Sequence, residues 1–342
     1  MDAWRKLLRD VSRSFYLTLQ VLPSEVRPQI GMAYLLARIT DTIADTRLVS
    51  VGRRRTALRE MRTAILAACD EQGAPVPDFG ELAEAQTAPA GRGSAAERNL
   101  LEAAGGIVDA LKSFVPGDRR YIRDLLQVIT LGQESDLARF GAADAAHMEA
   151  LESDNDLQEY TYAVAGCVGE FWTNICRAHL FPEADLDDTF LLTHGILFGK
   201  GLQLVNILRD LPEDLRQGRC YIPRMRLAEI GLRPESLLDP GEMNRFRPLY
   251  DGYLEQAREL LAAGHAYTIA LPRQQRRVRL ACAWPALIGL KTVARLRNAN
   301  VLDHRNRVKI RRGEVYWIVM RSLIRYPSSR AWARLFDESG AK

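Results

Sequence analysis

The sequence predicts an all-α fold. Apolar residues recur at three- and four-residue steps along nearly the whole chain, which is the spacing of one helix face. No run of alternating β-branched residues bounded by turn residues indicates a strand. The periodicity predicts helices at about 2–20, 24–46, 51–70, 95–113, 117–140, 155–181, 186–211, 241–269, 274–298 and 311–325.

We predict that residues 1–342 form a single domain. The one sharp change in composition is the stretch 72–94, which holds Pro75, Pro77 and Pro89 among several glycines and alanines. Proline and glycine interrupt regular structure, so this stretch is expected to be a flexible surface loop. No internal repeat or low-complexity tract divides the rest of the chain.

The composition is that of a globular protein that can bury a sizeable core, since 47% of its residues are hydrophobic and 26% are charged. Its 47 basic and 43 acidic residues leave a formal charge of +4, too small an excess to indicate a nucleic-acid partner. The five cysteines are widely spaced and form no C-x-x-C pair. Neither a disulfide framework nor a zinc site is therefore predicted. The sequence also gives no sign of an obligate protein partner.

No membrane-spanning segment or signal peptide is predicted, because polar and charged side chains interrupt even the most apolar tract, residues 190–208. Residues 315–324 are apolar and are flanked by Arg311, Arg312 and Arg325. This pattern fits a buried core helix, and it also fits a helix attached to a membrane surface. We expect a cytoplasmic location, with peripheral membrane contact as the open alternative.

A first polar face is formed by Tyr34, Arg38, Asp41 and Asp45, which follow one another at steps of four, three and four residues. Two aspartates four residues apart repel each other by a few tenths of a kcal/mol on a bare helix, so a bound cation would stabilise them. Mg²⁺ suits such a pair, because it takes one or two carboxylates and completes its octahedron with water and phosphate oxygens. A solvated acidic face is the alternative explanation of this pair alone.

A second polar face repeats the pattern, with Asn206, Asp210 and Asp214 at four-residue steps and Gln203 one turn before Asn206. The neighbouring residues are mostly leucine, isoleucine and valine, so we expect a largely buried helix whose carboxylates need a metal or a partner. Pro212 is expected to kink or end this helix and so to move Asp214 off the face.

Four arginines accompany these faces and could bind phosphate oxygens with their planar guanidinium groups: Arg13, Arg38, Arg209 and Arg219. Between the two aspartate segments, residues 160–169 place Gly166 and Gly169 within a predicted helix. Glycine costs about 1 kcal/mol there relative to alanine. The small residues could leave room for a long apolar ligand or permit tight packing of helices, and the sequence favours neither.

Four stretches together resemble the squalene and phytoene synthase family: Ser12-Arg13-Ser14-Phe15, the two aspartate segments, and residues 160–169 with their Y-x-x-x-V-A-G pattern. The resemblance covers residues 11–325. It implies an isoprenoid-synthase helical bundle in which the aspartate pairs line a deep apolar cavity that takes two farnesyl diphosphates.

The resemblance also implies roles for individual residues. Magnesium ions would be held on the diphosphates by Asp41, Asp45, Asp210 and Asp214, with Asn206 as a further ligand and Gln203 in support. Phosphate would be contacted by Arg13, Arg38, Arg209 and Arg219. Phe15, Tyr34 and Tyr160 would line the reacting centre, where aromatic faces can stabilise an allylic cation. Tyr160 is the candidate for relaying the proton that is lost when the two substrates couple.

A basic stretch, residues 307–313, resembles the V-K-I-R-K-G stretch of squalene synthases, which is associated there with NADPH. Lys309, Arg311 and Arg312 are accordingly the candidate cofactor-binding residues, and a lipid-facing basic patch is the alternative. The implied reaction joins two farnesyl diphosphates head to head into presqualene diphosphate and then reduces it with hydride to squalene.

Two features leave the reductive step open. The chain has no G-x-G-x-x-G dinucleotide motif, and Ala281 stands where squalene synthases commonly have phenylalanine. The alternatives are therefore an enzyme that stops at presqualene diphosphate, one that makes dehydrosqualene or phytoene without hydride, and a non-catalytic protein that binds prenyl lipids. The retained aspartates disfavour the last.

Overall fold

The computed structural model describes residues 4–12, 15–89 and 93–340. The prediction of an all-α fold is confirmed, because within these ranges the only strands are two residues long. The chain divides into two compact units, Met1–Gly141 with Phe171–Glu183 and Ala142–Glu170 with Ala184–Lys342. The single-domain organisation stays a prediction.

The first unit contains two helices with well-buried faces, α3 (Arg27–Asp45) and α4 (Val51–Cys69), and the long helix α8 (Pro116–Phe140) that packs against both. Met32, Leu36 and Ile39 on α3 and Leu58 on α4 are almost fully buried. The helices of this unit are α1 (Arg5–Ser12), α2 (Phe15–Val21), α3 (Arg27–Asp45), α4 (Val51–Cys69), α5 (Gly80–Ala85), α6 (Ala95–Glu102), α7 (Ala104–Asp109), a 3₁₀ turn (Ala110–Ser113) and α8 (Pro116–Phe140).

The second unit is built on a long helix, α11 (Asp188–Arg216). Its elements are β1 (Glu149–Ala150), α9 (Asp154–Thr161), a π-helical turn (Tyr162–Gly166), α11 (Asp188–Arg216), β2 (Arg219–Cys220), α12 (Arg224–Glu229), 3₁₀ turns (Pro234–Leu238 and Pro240–Glu242), α13 (Met243–Ala270), α14 (Arg276–Leu296), α15 (Arg312–Arg325) and α16 (Ser329–Gly340). Helix α10 (Cys167–Leu180) runs from this unit into residues of the first. α11 packs against α13 and α14, and β1 pairs in parallel with β2.

Several predicted helix boundaries were wrong. The helix predicted at 155–181 is interrupted by the π-helical turn, and the one at 95–113 divides at Ala103. The stretch 72–94 contains the short helix α5, whose Leu82 packs inside the fold together with Phe79. Helix α16 is absent from the predicted helices, although the spacing of Trp332, Leu335 and Phe336 is that of a buried helix face.

One helix of the described ranges, α11, is long and apolar enough to cross a membrane by length and composition, with a window of mean hydropathy 1.3 that is 44% buried. No membrane-spanning tract is predicted from the sequence. Core helices of globular proteins satisfy the same criterion. α11 is packed by α13 and α14 and carries polar side chains on one face, so it is weak evidence for a span.

Candidate active site

The first aspartate face lies on α3, on the side of the helix that the core does not cover. The residues between its polar positions are buried, notably Leu35, Leu36 and Ile39. Asp41 keeps 42% of its side-chain surface exposed, and Asp45 is exposed at the end of the helix. The predicted helical spacing of these residues is therefore present, and it displays the two carboxylates to solvent.

Arg38 connects this face to α6. Its guanidinium lies 2.5 Å from the Asp41 carboxylate and also binds Glu97. Burial lowers the pKa of Arg38, but the charges of Asp41 and Glu97 outweigh it and raise the pKa. Arg38 is thus a cation held between two acids.

Aromatic residues extend this face. Phe15 on α2 stacks on Tyr34, with ring centroids 5.0 Å apart, and the Tyr34 hydroxyl donates to the carbonyl of Val11 at 3.3 Å. The two residues predicted to line the reacting centre from this part of the chain are therefore neighbours. Arg13 and Ser14, the middle of the Ser12–Phe15 motif, lie outside the described residues.

The second aspartate face lies on α11, and Pro212 does not end that helix. α11 continues to Arg216, so Asp210 and Asp214 stay at successive helical turns. Proline lacks the N–H that would bind the carbonyl four residues earlier, that of Leu208. The hydroxyl of Tyr250 on α13 donates to this carbonyl instead, at 3.0 Å. The expectation that the proline would displace Asp214 by ending the helix was wrong.

The carboxylates of this face are also less buried than expected. Leu204, Ile207 and Leu208 are buried as predicted, but the side chain of Asp210 is 49% exposed and Asp214 is half-buried. The apolar residues and the aspartates occupy different sides of the same helix, so burial of one does not impose burial of the other.

The polar side chains of α11 bind one another along the helix. The Arg209 guanidinium donates two hydrogen bonds to the Asp210 carboxylate, at 2.9 and 2.5 Å, and this contact raises the pKa of Arg209. The Asn206 amide donates to Gln203 at 3.5 Å, one turn earlier. Each aspartate face thus has an arginine paired with its aspartate, Arg38 with Asp41 and Arg209 with Asp210.

Tyr160 is half-buried near the end of α9 and stacks on the buried ring of Tyr221, with centroids 4.7 Å apart. The π-helical turn begins two residues later, and π turns often occur at functional sites. In this turn Tyr162 donates to Glu170 at 3.1 Å. Arg219, another predicted phosphate contact, is half-buried on β2 and follows α11 directly.

The glycines of this region serve close packing. A Cβ on Gly169 would lie 1.9 Å from the carbonyl oxygen of Gly195, and one on Gly199 would lie 2.2 Å from that of Ala165. Real atoms cannot approach so closely, so both positions require glycine for backbone contact between α11 and the 165–169 segment. At Gly169 the structure thus favours packing over the ligand-space alternative.

The basic stretch 307–313 forms the approach to α15 and is tied to the second aspartate helix. Arg307 binds Glu213, the residue before Asp214, at 3.0 Å. The stretch is also held to α14, since Arg295 donates to the carbonyl of Lys309 at 2.6 Å. Lys309, Arg311 and Arg312 are exposed, and none of them forms an ion pair with a carboxylate of the described residues.

Glu314 anchors this stretch. Its carboxylate binds Lys291 at 2.8 Å and Arg295 at 2.7 Å, and it accepts the backbone N–H of Arg311 at 2.9 Å. The contact with Lys291 and the N–H of Arg311 lower the pKa of Glu314 to about 2. This residue thus fixes the start of α15 relative to α14.

Sequence reasoning missed Glu97, Glu213, Tyr221, Tyr250 and Glu314. Glu97 has a local signal: Ser94 caps α6 by accepting the Glu97 N–H and donates to the Glu97 carboxylate, the pairing of a serine with an acid three residues later. Glu314 also has a local contact, with the N–H of Arg311, but its charged partners lie on α14. Glu213, Tyr221 and Tyr250 contact residues distant in sequence, which no spacing rule identifies.

The donor set suits magnesium shared with a diphosphate. Within the described ranges, no three His, Cys, Asp or Glu side chains are grouped to hold a metal by themselves. Each helix instead offers two hard oxygen donors four residues apart. Mg²⁺ typically binds to one or two carboxylates and takes its remaining ligands from water and substrate phosphates. The residues therefore fit this ion together with its substrate.

Comparison with known proteins identifies the family. The family model described as Squalene/phytoene synthase matches residues 8–314, and the chain belongs to this family of head-to-head isoprenoid prenyltransferases. A bifunctional lycopene cyclase/phytoene synthase of Phycomyces blakesleeanus is 28% identical over 85% of the chain and 45% of its own length. The squalene synthase of Schizosaccharomyces pombe is 24% identical over 93% of the chain and 64% of its own length.

The fold is similar to that of known members. A structure of TcSQS in complex with the ligand E5700 superposes with a TM-score of 0.76 at 21% identity, covering 98% of this chain and 88% of that one. The chain spans about half the length of the curated relatives it matches first. The resemblance to the squalene and phytoene synthase family that the motifs indicated is confirmed.

Proposed function

We propose that this protein is a squalene synthase. It joins two farnesyl diphosphates into presqualene diphosphate and then reduces that intermediate to squalene with NADPH. The first half-reaction releases one diphosphate and one proton, and the second releases the other diphosphate and gains a hydride. The protein would work in the cytoplasm as a transferase of isoprenoid biosynthesis, without a nucleic-acid or obligate protein partner.

The observation that carries this proposal is the ion pair between Arg307 and Glu213. It ties the basic stretch of the sequence to the helix that bears Asp210 and Asp214. A reductive second step needs cations for the phosphates of NADPH near the site where the second diphosphate leaves. Lys309, Arg311 and Arg312 are exposed and form no ion pair with a described carboxylate, so their donors fit that task.

Ionisation of the substrate is assisted by charge. Magnesium, when bound, supplies Lewis-acid stabilisation of the leaving diphosphate. On α3 it would be held by Asp41 and Asp45, and on α11 a magnesium ion would be held by Asp210 and Asp214 with Asn206. Arg38 and Arg209 already lie against these aspartates, so each is poised to bind phosphate oxygens as negative charge develops on them.

The allylic cation left behind needs a dry and electron-rich surrounding. The stacked rings of Phe15 with Tyr34, and of Tyr160 with Tyr221, offer aromatic faces held in place by their partners. In our proposal the Tyr160 hydroxyl passes the proton lost in coupling to the departing diphosphate, which is the base formed in the same step.

The second candidate is coupling without reduction, to presqualene diphosphate, dehydrosqualene or phytoene. Ala281 favours it, because this position on α14 is buried and lacks the aromatic ring expected of squalene synthases. The match to a protein named as a bifunctional lycopene cyclase/phytoene synthase also supports coupling without reduction.

Product analysis separates the two. Purified protein is incubated with radiolabelled farnesyl diphosphate and Mg²⁺, with and without NADPH, and the lipids are separated by chromatography. We expect squalene only with NADPH and presqualene diphosphate without it. Equal hydrocarbon output in both reactions, or consumption of geranylgeranyl diphosphate alone, would contradict squalene synthesis.

Matched variants test the aspartate faces. Asp41→Asn and Asp210→Asn should each lower kcat at least about 100-fold, since a metal ligand that stabilises the leaving group is lost. Asp124→Asn makes the same chemical change on the exposed surface of α8 and should leave kcat unchanged. Full activity in the Asp41→Asn, Asp210→Asn double variant would show that the faces are not the site.

A further inference from the structure

The exposed side of helix α15 carries four large apolar side chains. Tyr316 is 61% exposed, Trp317 60%, Met320 53% and Ile324 70%. These residues, which we call the α15 stripe, are the most concentrated group of exposed large hydrophobic residues in the described chain. At about 100° per residue they fall within an arc of about 100°, so they form one continuous ridge.

The opposite side of α15 is fixed to the protein. Ile318 and Ser322 are buried there, and the indole of Trp284 on α14 donates to the Ser322 hydroxyl at 2.9 Å. Glu314 binds Lys291 and Arg295 of α14 at the start of the helix. The helix therefore cannot roll to bury its stripe against its own core, and the ridge stays exposed.

The charges around the stripe are positive. Arg321 lies four residues after Trp317, at the edge of the ridge, and Arg325 follows one turn later. Both arginines bind the single carboxylate of Glu338 on α16. Two guanidinium groups therefore share one acid, which leaves a net positive charge beside the ridge.

From these observations we propose that the α15 stripe is a docking surface for an anionic lipid bilayer. Tryptophan and tyrosine prefer the interface between headgroups and acyl chains, and isoleucine and methionine can enter its apolar side. The net positive charge of Arg321 and Arg325 beside the ridge attracts acidic headgroups. A protein partner would have to offer both an apolar groove and an acidic rim, whereas an anionic membrane presents both everywhere. α15 then lies flat on the membrane and does not cross it.

Vesicle binding tests the proposal with the full chain. Sedimentation with vesicles of phosphatidylcholine containing phosphatidylglycerol should capture the protein, and pure phosphatidylcholine should capture much less. The Met320→Glu, Ile324→Glu double variant should bind at least about tenfold more weakly, because it places two acids in the apolar ridge. Both side chains are more than half exposed, so the variant should fold normally, which circular dichroism checks.

The matched control is the Leu131→Glu, Met225→Glu double variant. It adds the same charge at two exposed apolar residues outside the stripe, on α8 and α12, and should bind like the unchanged protein. As a second readout, Trp317 fluorescence should shift to the blue with anionic vesicles, and Trp317→Phe should remove most of that shift.

Three results would overturn the proposal. The first is no preference for anionic vesicles, and the second is equal loss of binding in both double variants. The third is a dimer in analytical ultracentrifugation that Met320→Glu, Ile324→Glu converts to a monomer, since the stripe would then be covered by a second copy of the chain. Coupling activity in detergent should be unchanged in the stripe variant.

Discussion

At the scale of single residues, Tyr250 explains how a proline is tolerated within α11. The carbonyl of Leu208 is buried, and Pro212 cannot supply the N–H that would normally bind it. An unsatisfied buried carbonyl costs about 1–3 kcal/mol. The Tyr250 hydroxyl removes that cost, and its burial raises its pKa far above the ordinary value, so it remains a donor at all physiological pH values.

We therefore predict that Tyr250→Phe lowers the free energy of unfolding by about 1–3 kcal/mol. The effect should be smaller in a Pro212→Ala background, because the alanine N–H can then bind the Leu208 carbonyl. Urea unfolding of the two single variants and the double variant measures this coupling. Equal effects of Tyr250→Phe in both backgrounds would show that the hydroxyl does not compensate for the proline.

Glu314 gives a pH-dependent prediction at the same scale. Its pKa is lowered in the folded protein to about 2, chiefly by its contact with Lys291, so its contribution to stability is present at neutral pH. The contribution falls as the pH drops from about 5 toward 2, because the unfolded chain then takes up the proton more readily.

Glu314→Gln should accordingly be less stable than the unchanged protein at pH 7, by about 1–2 kcal/mol for a partly exposed charge cluster. The difference should shrink steadily between pH 5 and pH 3 in urea unfolding measurements. A difference that is independent of pH would mean that the carboxylate charge does not stabilise the fold.

At the scale of elements, the contact between α11 and the 165–169 segment depends on the absence of side chains. Gly199→Ala would bring a Cβ to within 2.2 Å of a backbone oxygen, so the helices must separate. We expect a loss of several kcal/mol, at the upper end of overpacking costs. Thermal unfolding measures it.

Gly252→Ala is the matched control on α13. No atom lies within 4 Å of its new Cβ, and alanine has the higher helix propensity, so this variant should gain about 0.5–1 kcal/mol. Similar melting temperatures for the two variants would contradict the packing explanation of the glycines.

At the scale of the whole molecule, substrate and metal should stabilise the protein only together. Within the described chain no side-chain group holds a metal alone, so Mg²⁺ without ligand should leave the melting temperature almost unchanged. Mg²⁺ with a non-ionising farnesyl diphosphate analogue at about 100 times its Kd should contribute about 2.7 kcal/mol, or roughly 2–4 °C.

Chelation with EDTA should reverse this shift, and differential scanning fluorimetry records both. Asp41→Asn and Asp210→Asn should each reduce it, whereas Asp124→Asn should not. A full shift in EDTA would show that the analogue binds through arginine alone and that the aspartates have another role.

Spacing and motifs along the chain were enough to predict the helical class of the fold, the two aspartate faces and the resemblance to the family. These are local properties: helical periodicity follows from spacing along the chain, and Asp41 and Asp45, or Asp210 and Asp214, share a face because they are four residues apart. For residues 315–324 the sequence left two interpretations open, a buried core helix and a helix attached to a membrane surface, and it did not show which side of α15 faces solvent.

Tertiary structure decided the partners of these faces. The Tyr250 hydroxyl reaches the Leu208 carbonyl, and Arg307 reaches Glu213, across 42 and 94 residues of sequence. The exposure of Tyr316 and Trp317 likewise follows from Ser322 bonding to Trp284 on the opposite side of α15. Periodicity states which residues share a side of a helix, but only packing chooses the element that each side meets.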